Sequence, residues 1–517
     1  MLPFTPPPSS PTVVEVAPPR YGAEPISLDS HGYHYIVTGN TLLPPEVIEQ
    51  ALRAAATPKD ALGAVQRAYH QAGYTLVAIT GATHGKTVRV SVFQGTITAV
   101  KTPDGLGWFF PGLVGRDDLR ADELIEDQVL AGVYAARAGQ RVDVNVSPAP
   151  NPAGTEIAIA APPIPGYSPV SGTVTFGNYG NRYTSGYQLG GNAVADLTHG
   201  LQATAFYVRG LPWLEEKSRG SLYEQGGGGI SAVTPWGIYG FTAADTHFRL
   251  GQVTAPLYPL GNEVTLSLTG AQLLFADTDT RVSATEALNR TLFSETVLDN
   301  EFTLLRQSYN WVSLGGSFNR SVSVGGHPGN LTTTAAVNFG ISGPAGTLVD
   351  GVPGAPTSHF RYATASAAYK QHLPRGIDLD LTGQTQWAVN TLPSAQQWTL
   401  GGFGNLSAWQ PAIVVGDSGY LARLELSAPT PVEFHSEARF GAFVETGGAR
   451  LTTTSPGTAA WQTLSDIGVS LRLTLPYQFT ATAMTAFPVA SNGFTEAGKT
   501  NLHLGRINAF FVVEKRF

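Results

Sequence analysis

The pattern of apolar and polar residues divides the chain into a first part with helical periodicity and a longer second part with alternation. From about Tyr33, "HYIVTGN" predicts a strand, and "PPEVIEQALRAAA" and "PKDALGAVQRAYHQAGY" predict two helices. One face of the second helix carries Leu62, Val65, Tyr69 and Ala72. "TLVAIT" and "KTVRVSVFQG" predict two further strands. About 70 residues therefore predict one unit of strand, helix, helix, strand and strand.

A similar order follows. "GTITAVKTP" predicts a strand, "LRADELIEDQVLAGVYAARAG" a helix, and "RVDVNVSPAP" and "TEIAIAAPP" two strands. The predicted buried face of this helix carries Ile125, Val129, Val133 and Ala136. A tandem repeat of two α/β units predicts two small domains, at residues 25–95 and 96–164. The Pro-rich residues 1–24 predict an extended tether and do not resemble a signal peptide, so we expect a mature chain with an added Met or a start further upstream.

After "PPIPGYSP" the helical periodicity ends and alternation continues to Phe517. In "GIDLDLTGQTQWAV", one face carries Ile377, Leu379, Leu381, Thr385, Trp387 and Val389. The other face carries Asp378, Asp380, Thr382, Gln384 and Gln386. "LTTTAAVNFGIS" and "DIGVSLRLTL" alternate in the same way. These segments predict strands that are apolar on one side and polar on the other.

Two architectures fit such strands. A soluble sandwich or propeller would bury the apolar faces in a core, whereas a membrane barrel would turn them to lipid. Three features favour the barrel: the length of the segment, the acidic and amide residues on the polar face, and the alternating ending "INAFFVVEKRF". At about 22 residues per strand and loop, residues 165–517 predict a membrane β-barrel of about 16 antiparallel strands.

Composition removes several classes of function. The chain of 517 residues has a net charge of -7 and a pI near 5.9, which gives no support for nucleic-acid binding. It contains no Cys, so disulfides, thiolate zinc sites and thiol catalysis are excluded. The sequence contains no run of about 18 apolar residues, so it predicts no membrane-spanning helix. We expect no cofactor, no metal and no enzymatic activity.

The two α/β units resemble POTRA domains, most clearly in "YIVTGNTLLPPEVIEQAL", "AYHQAGYTLVAI" and "VRVSVFQGTI". Two such domains before a 16-stranded barrel resemble the transporters of bacterial two-partner secretion (the TpsB family), and Thr175–Gly210 is similar to that family's first barrel hairpin. The resemblance covers about residues 25–517 and implies a Gram-negative outer-membrane protein with periplasmic POTRA domains.

The resemblance also implies partners. The POTRA domains would capture an unfolded secreted protein, expected to be large and β-helical, and the barrel would conduct it outward without ATP. Outer-membrane lipid and the barrel-assembly machinery would be further partners, with Phe517 as the C-terminal barrel signal. Two other functions remain open. One is an insertase-like assembly factor, although such proteins usually carry more POTRA domains. The other is a passive porin-like channel, which is disfavoured by the presence of two POTRA domains.

The stretch "LGGFGNLSAWQPAIVVGDSGYLARLEL" resembles the family's sixth extracellular loop, which folds back into the lumen with a Val-Arg-Gly-Phe motif at its tip. The aligned tip consists of Leu406, Ser407, Ala408 and Trp409. The return turn consists of Gly416, Asp417 and Gly419, and Arg423 and Glu425 match the following strand.

The family pairs the tip Arg with the Asp of a Phe-x-Asp-x-Gly strand on the lumen wall. Here "FVETG" supplies Phe443, Glu445 and Gly447. Ser407 cannot make the bidentate, charge-assisted contact of an Arg. We therefore expect that the contact is either made by packing of Trp409 and neutral hydrogen bonds, or is looser than in the family. Glu445 should be hydrated or paired with another Arg of the wall.

Other candidate chemistry is weaker. "GDSG" resembles part of a serine-protease motif, but it lacks the second Gly and an Ala-Ala-His segment upstream, so we interpret Ser418 as part of a tight turn. His31 and His34 are interpreted as solvent-exposed residues and not as metal ligands. "GGGG" at 226–229 is interpreted as a flexible loop tip.

Overall fold

The computed structural model describes residues 21–22, 24–149, 154–181, 183–198, 200–251, 254–298, 300–341, 354–430, 437–453, 460–495, 498–499, 502 and 509–517. The tether predicted for residues 1–24 lies almost wholly outside the described residues. The chain divides into two compact units, one formed by the residues up to Ile125 with Asp143–Ala160, the other by Glu126–Val142 with Ala161–Phe517. Among the described helices, none is long and apolar enough to cross a membrane.

The first α/β domain contains four strands and two helices. They are β1 (Ile26–Ser30), β2 (Tyr33–Thr38), α1 (Pro45–Ala54), α2 (Pro58–Gln71), β3 (Val77–His84) and β4 (Thr87–Gln94). The sheet has the order β1-β2-β4-β3, in which β2 and β4 are parallel and the other pairs antiparallel. The predicted order is therefore present, with β1 as an additional edge strand.

Local signals explain the two helices. Pro45 and Pro58 occupy first-turn positions, where a missing N–H costs no intrahelical hydrogen bond. The Thr57 Oγ1 accepts a hydrogen bond from the Asp60 amide at 3.2 Å and caps α2. Ile48, Leu52, Val65 and Tyr69 are fully buried in one apolar core, in which Tyr69 also donates to Asn40.

The second α/β repeat contains one helix where the first contains two. Its elements are β5 (Thr96–Lys101), α3 (Ala121–Ala136), β6 (Asp143–Pro148) and β7 (Gly154–Ala160), and a short 3-10 turn at Gly107–Phe109 precedes α3. The strands have the order β5-β7-β6. The predicted buried face of α3 is wrong, because Ala131 and Ala135 are buried while Ala136 is exposed. Apolar residues surround this helix, so periodicity does not single out one face.

Residues 170–516 form a closed barrel of 16 antiparallel strands, which confirms the predicted fold class. Its first eight strands are β8 (Val170–Gly177), β9 (Gln188–Asp196), β10 (Leu201–Gly210), β11 (Leu222–Thr234), β12 (Gly237–Arg249), β13 (Leu260–Ala276), β14 (Thr280–Val297) and β15 (Phe302–Val324). The others are β16 (His327–Ile341), β17 (Arg361–His372), β18 (Asp378–Ala388), β21 (Ser418–Thr430), β22 (Glu437–Arg450), β23 (Gln462–Leu475), β24 (Phe479–Asn492) and β25 (Phe510–Arg516). The last strand pairs with the first, between Val512 and Gly177, and closes the barrel.

The alternation of residues along β18 shows which face of the barrel wall points to lipid and which points to the lumen. Leu381 and Trp387 are 46% and 56% exposed, and these apolar side chains point toward lipid. Asp378 and Gln386, on the other face, are buried. On β18, the barrel therefore carries apolar side chains on its outer surface and polar side chains in its lumen.

The interpretation of "GGGG" as a loop tip is wrong. Gly226–Gly229 lie within β11, paired with β10 and β12. A Cβ at Gly227 would lie 2.7 Å from the Phe206 ring, and one at Gly229 would lie 2.8 Å from the Thr242 methyl group. The glycines therefore make room for side chains of the neighbouring strands.

The last turns of α3 and the segment that follows contact the barrel turns at one end. The Arg137 guanidinium is buried and donates to the backbone oxygens of Gly200 and Ser231 at 2.7 and 3.1 Å. The Tyr167 hydroxyl donates to the Arg137 oxygen at 3.0 Å. One guanidinium thus connects two segments at the turn end of β9–β11.

Candidate functional site

Residues 389–417 connect β18 to β21, and we call them the lumen loop. Two short strands, β19 (Trp398–Leu400) and β20 (Val414–Gly416), pair at its base. Its tip is a compact turn in which the Gly402 amide donates to the Trp409 oxygen at 2.8 Å and the Trp409 amide to the Leu406 oxygen at 3.0 Å. Leu406, Ser407, Ala408 and Trp409 are at most 2% exposed.

The tip contacts the lumen wall through two backbone amides. The Ser407 amide donates to Oε2 of Glu445 at 2.6 Å, and the Ala408 amide donates to Oδ2 of Asp466 at 2.8 Å. Glu445 on β22 and Asp466 on β23 are directly opposite in the strand register, and neither is exposed. Since backbone amides are the donors, this contact does not need an Arg at the tip.

The Ser407 hydroxyl takes no part in the contact with the wall. Its Oγ accepts a hydrogen bond from the Gly404 amide at 3.1 Å and so stabilises the turn itself. The Ser407 side chain is therefore turned inward, toward its own loop.

Glu445 receives its cation from the wall. Arg423 on β21 donates from Nη1 to Oε1 of Glu445 at 2.5 Å and from Nη2 to Oε2 of Glu425 at 2.6 Å. Its guanidinium carbon lies 4.0 Å from the centroid of the Phe443 ring, a cation–π contact. The Ser470 hydroxyl donates to the other oxygen of Glu425 at 2.7 Å. Arg423 thus satisfies the buried carboxylate that the loop would otherwise have to neutralise.

Apolar packing surrounds these charges. Leu400, Leu406, Trp409, Phe443 and Leu464 belong to one buried cluster. A Cβ at Gly447 would lie 3.1 Å from Leu400, 3.2 Å from Leu406 and 2.9 Å from the Tyr420 oxygen. Gly447 therefore lets the loop approach the wall closely.

The return segment is held by Asp417, which is fully buried. Its Oδ1 accepts from the Leu392 amide at 2.9 Å, and its Oδ2 accepts from the Thr452 amide at 2.7 Å. A Cβ at Gly416 would lie 2.6 Å from the Arg450 oxygen, and one at Gly419 would lie 2.0 Å from the Trp398 ring. Both glycines serve close packing, and Asp417 connects the base of the lumen loop to the next loop.

Ser418 begins β21 and is 1% exposed. Its Oγ accepts a hydrogen bond from the Ala388 amide at 2.9 Å. The interpretation of Ser418 as part of a tight turn is wrong, because Val414–Gly416 and Ser418–Thr430 are strands separated only by Asp417. The buried hydroxyl instead binds the end of β18 and is closed to solvent.

The remaining sequence candidates lie elsewhere. Phe517 is exposed, its amide donates to the Gly172 oxygen at 3.0 Å, and the Lys515 amine lies 5.3 Å from its ring centroid. His34 Nδ1 lies 2.7 Å from Asp29 in the first domain. In the described part of the chain, no group of three or more His, Cys, Asp or Glu residues could hold a metal ion.

Sequence reasoning missed Asp466. Its signal was present in "DIGVSLRLTL", where alternation places Asp466 on the polar face with Gly468 and Ser470. Only the register between β22 and β23 shows that this carboxylate lies opposite Glu445 and beneath the Ala408 amide. Arg423 was visible in the sequence, but its contact with Glu445 also depends on register.

Comparisons with known proteins agree with the fold. A sequence model described as haemolysin secretion/activation protein ShlB/FhaC/HecB matches residues 165–473, which is more than half of the chain. CdiB from Escherichia coli is similar in structure, with a TM-score of 0.73 at 16% identity, covering 98% of this chain and 93% of that one. CdiB from Acinetobacter baumannii has a TM-score of 0.66 at 15% identity, covering 89% of this chain and 81% of that one. A comparison with curated protein sequences found no match.

Proposed function

Because the chain belongs to the haemolysin secretion/activation protein family ShlB/FhaC/HecB, an outer-membrane barrel family with periplasmic POTRA domains, we propose that it exports one secreted partner protein in an unfolded state. Residues 25–95 and 96–164 act as the two POTRA domains that receive the partner in the periplasm. The barrel then conducts it outward without ATP, and folding at the cell surface supplies the direction. The protein acts as a transporter and not as an enzyme.

The observation that carries this proposal is the lumen loop bound inside the barrel. The loop is held by two backbone amides that donate to two carboxylates and by a small apolar cluster. In the proposed function it closes the lumen until the partner displaces it. Hydrogen bonds to charged acceptors contribute about 1.5–3 kcal/mol each, so a few of them hold the loop in place yet can be exchanged for contacts with a partner. A passive channel has no need for such a contact inside its lumen.

The first α/β domain offers a place for capture. Strand β3 is an edge strand, paired only with β4 on one side, and most of its residues are exposed. An unfolded chain can add a strand to such an edge through main-chain hydrogen bonds that do not depend on its sequence. We assign the initial contact with the partner to this edge.

A secretion assay tests the proposal. The protein is produced in a Gram-negative host together with a candidate exoprotein from the same organism, and the exoprotein is measured in the medium. We expect secretion from the full chain and none after deletion of residues 25–95, although the barrel still inserts. Secretion at the full-chain level from the deletion variant would contradict the role of the first domain. Defects in other barrels of a strain lacking the protein would favour the assembly-factor alternative.

A further inference from the structure

A second polar site lies on the lumen wall next to the loop contact. It is a cavity of about 310 Å³ lined by side chains of five neighbouring strands, β17, β18 and β21–β23. Its charged members are Lys370, Asp378, Asp380, Arg423, Glu425, Arg439 and Arg472. Arg423 belongs both to this cavity and to the loop contact, so the two sites are adjacent.

The carboxylates of the cavity are already paired. Asp378 receives Arg439 at 2.9 Å and His372 at 2.6 Å, and Lys370 lies 3.7 Å from it. Lys370 also lies 3.9 Å from Asp380. Glu425 is bonded to Arg423 and Ser470, as described above. Each carboxylate of the cavity thus lies within 4 Å of a Lys or Arg on the same lumen wall.

Arg472 differs from the other cations. It is exposed, and within the described residues no ion pair to it is found. Its position on β23 is directly opposite Arg439 on β22. Both lie on the lumen side, because Arg439 alternates with the buried Phe443 and Glu445, and Arg472 with the buried Ser470 and Asp466.

Two like charges at directly opposite positions of an antiparallel pair destabilise the sheet. Arg439 is neutralised by Asp378, but Arg472 is left with an unused planar guanidinium at the mouth of a polar cavity. Such a fork matches the geometry of a carboxylate and binds it through two parallel hydrogen bonds. An anion bound to Arg472 would reduce the repulsion between the two opposed guanidinium groups.

We propose that Arg472, with Arg439 and the cavity beside it, is a binding site for carboxylate side chains of an extended polypeptide in the lumen. The site deepens the proposed export function, on which its biological meaning rests. An acidic side chain of a passing chain would contact the Arg472 guanidinium next to the loop contact. The hydroxyls of Thr382 and Ser427 line the same cavity.

The site can be tested with the purified full-length protein in detergent. The probe is a fluorescein-labelled hexaglutamate peptide, measured by fluorescence anisotropy, with labelled hexaserine as the neutral peptide. We expect saturable binding of hexaglutamate only, weakened by added salt because the lumen charges are screened. Arg472→Gln should weaken binding about tenfold, as the loss of one charge-assisted hydrogen-bonded contact implies. Arg472→Lys should restore part of the affinity, since charge remains but the fork is lost.

Arg281→Gln is the matched control. Arg281 is exposed on the lumen side of β14, alternating with the buried Asn289 and Thr291, and the residue opposite it on β15 is Asn319. We expect less than about a twofold change, since the same charge is removed without a guanidinium pair. Equal losses in the Arg472 and Arg281 variants, or no saturable hexaglutamate binding at all, would overturn the site. Because the assay does not involve secretion, its result is independent of whether the export proposal holds.

Discussion

The first α/β domain and the barrel bury opposite kinds of residue. In the first domain Ile48, Leu52 and Val65 are fully buried, and charged side chains remain at the surface. In the barrel, Leu381 and Val337 are about half exposed, while Glu445, Asp466 and Asp417 are fully buried. The same apolar residue types thus face inward in one region and outward in the other.

The difference follows from the solvent of each region. Water surrounds the first domain, so burial of apolar area is its main source of stability. Lipid surrounds the barrel wall, so exposed apolar side chains cost nothing there, and the closed ladder of backbone hydrogen bonds keeps every strand paired. What remains to be buried inside the barrel is polar, and it is stabilised by specific pairing.

The largest effect is expected for Ile48→Asp. A carboxylate in the apolar core would lower the free energy of unfolding by at least about 4 kcal/mol and unfold the first domain. Limited proteolysis should show cleavage within residues 25–95, while the barrel retains its heat-modifiable migration in gel electrophoresis. Val47→Asp, at the neighbouring, exposed position, is the control and should leave the domain resistant. Loss of the barrel together with the domain would show that the two regions are not separable.

A large effect is also expected inside the lumen for Glu445→Ala. This change removes one of the two carboxylates that Arg423 contacts and leaves the Ser407 amide without an acceptor, a loss of about 3–5 kcal/mol for a broken buried pair. Because the chain has no native Cys, a single Cys introduced at Ala408 reports on the tip. Its thiol should react with a polar reagent much faster in the Glu445→Ala variant. Glu437→Ala, an exposed position on the same strand, should not change the rate. Equal rates in all three proteins would contradict the role of Glu445.

The inverted faces of the barrel can be compared on one strand. Leu381→Arg places a charge in lipid and should cost about 2–4 kcal/mol, whereas Gln384→Arg points into the lumen and should cost little. Folding into lipid vesicles, followed by urea titration, measures both. If the two variants lose equal stability, the assignment of faces on β18 is wrong.

The smallest effect is expected for Arg137→Gln. The variant loses the two hydrogen bonds to the oxygens of Gly200 and Ser231, worth about 1–3 kcal/mol locally. Hydrogen exchange should become faster in the turn after β9 and at the end of β11, while the lumen loop keeps its protection. Unchanged exchange at both segments would show that Arg137 does not hold these turns.

Much of the fold could be predicted from the periodicity of apolar residues in the sequence. Alternation of period two predicted β18 and β23 and their lipid faces, and the two helices of the first domain followed from Pro and apolar spacing. The single helix α3 shows the limit. Its apolar residues lie on every side, and the buried face, with Ala131 and Ala135, could not be chosen from the sequence.

By itself, the amino-acid sequence determined the class of the protein: two small α/β units and a barrel of about 16 strands. Only the tertiary structure decided how the loop is held, through the amides of Ser407 and Ala408, and that Arg423 on the wall supplies the cation for Glu445. The reason is physical. Periodicity is a property of one strand, whereas a contact between a loop and three strands depends on their register, and one-residue shifts of register exchange lumen and lipid faces.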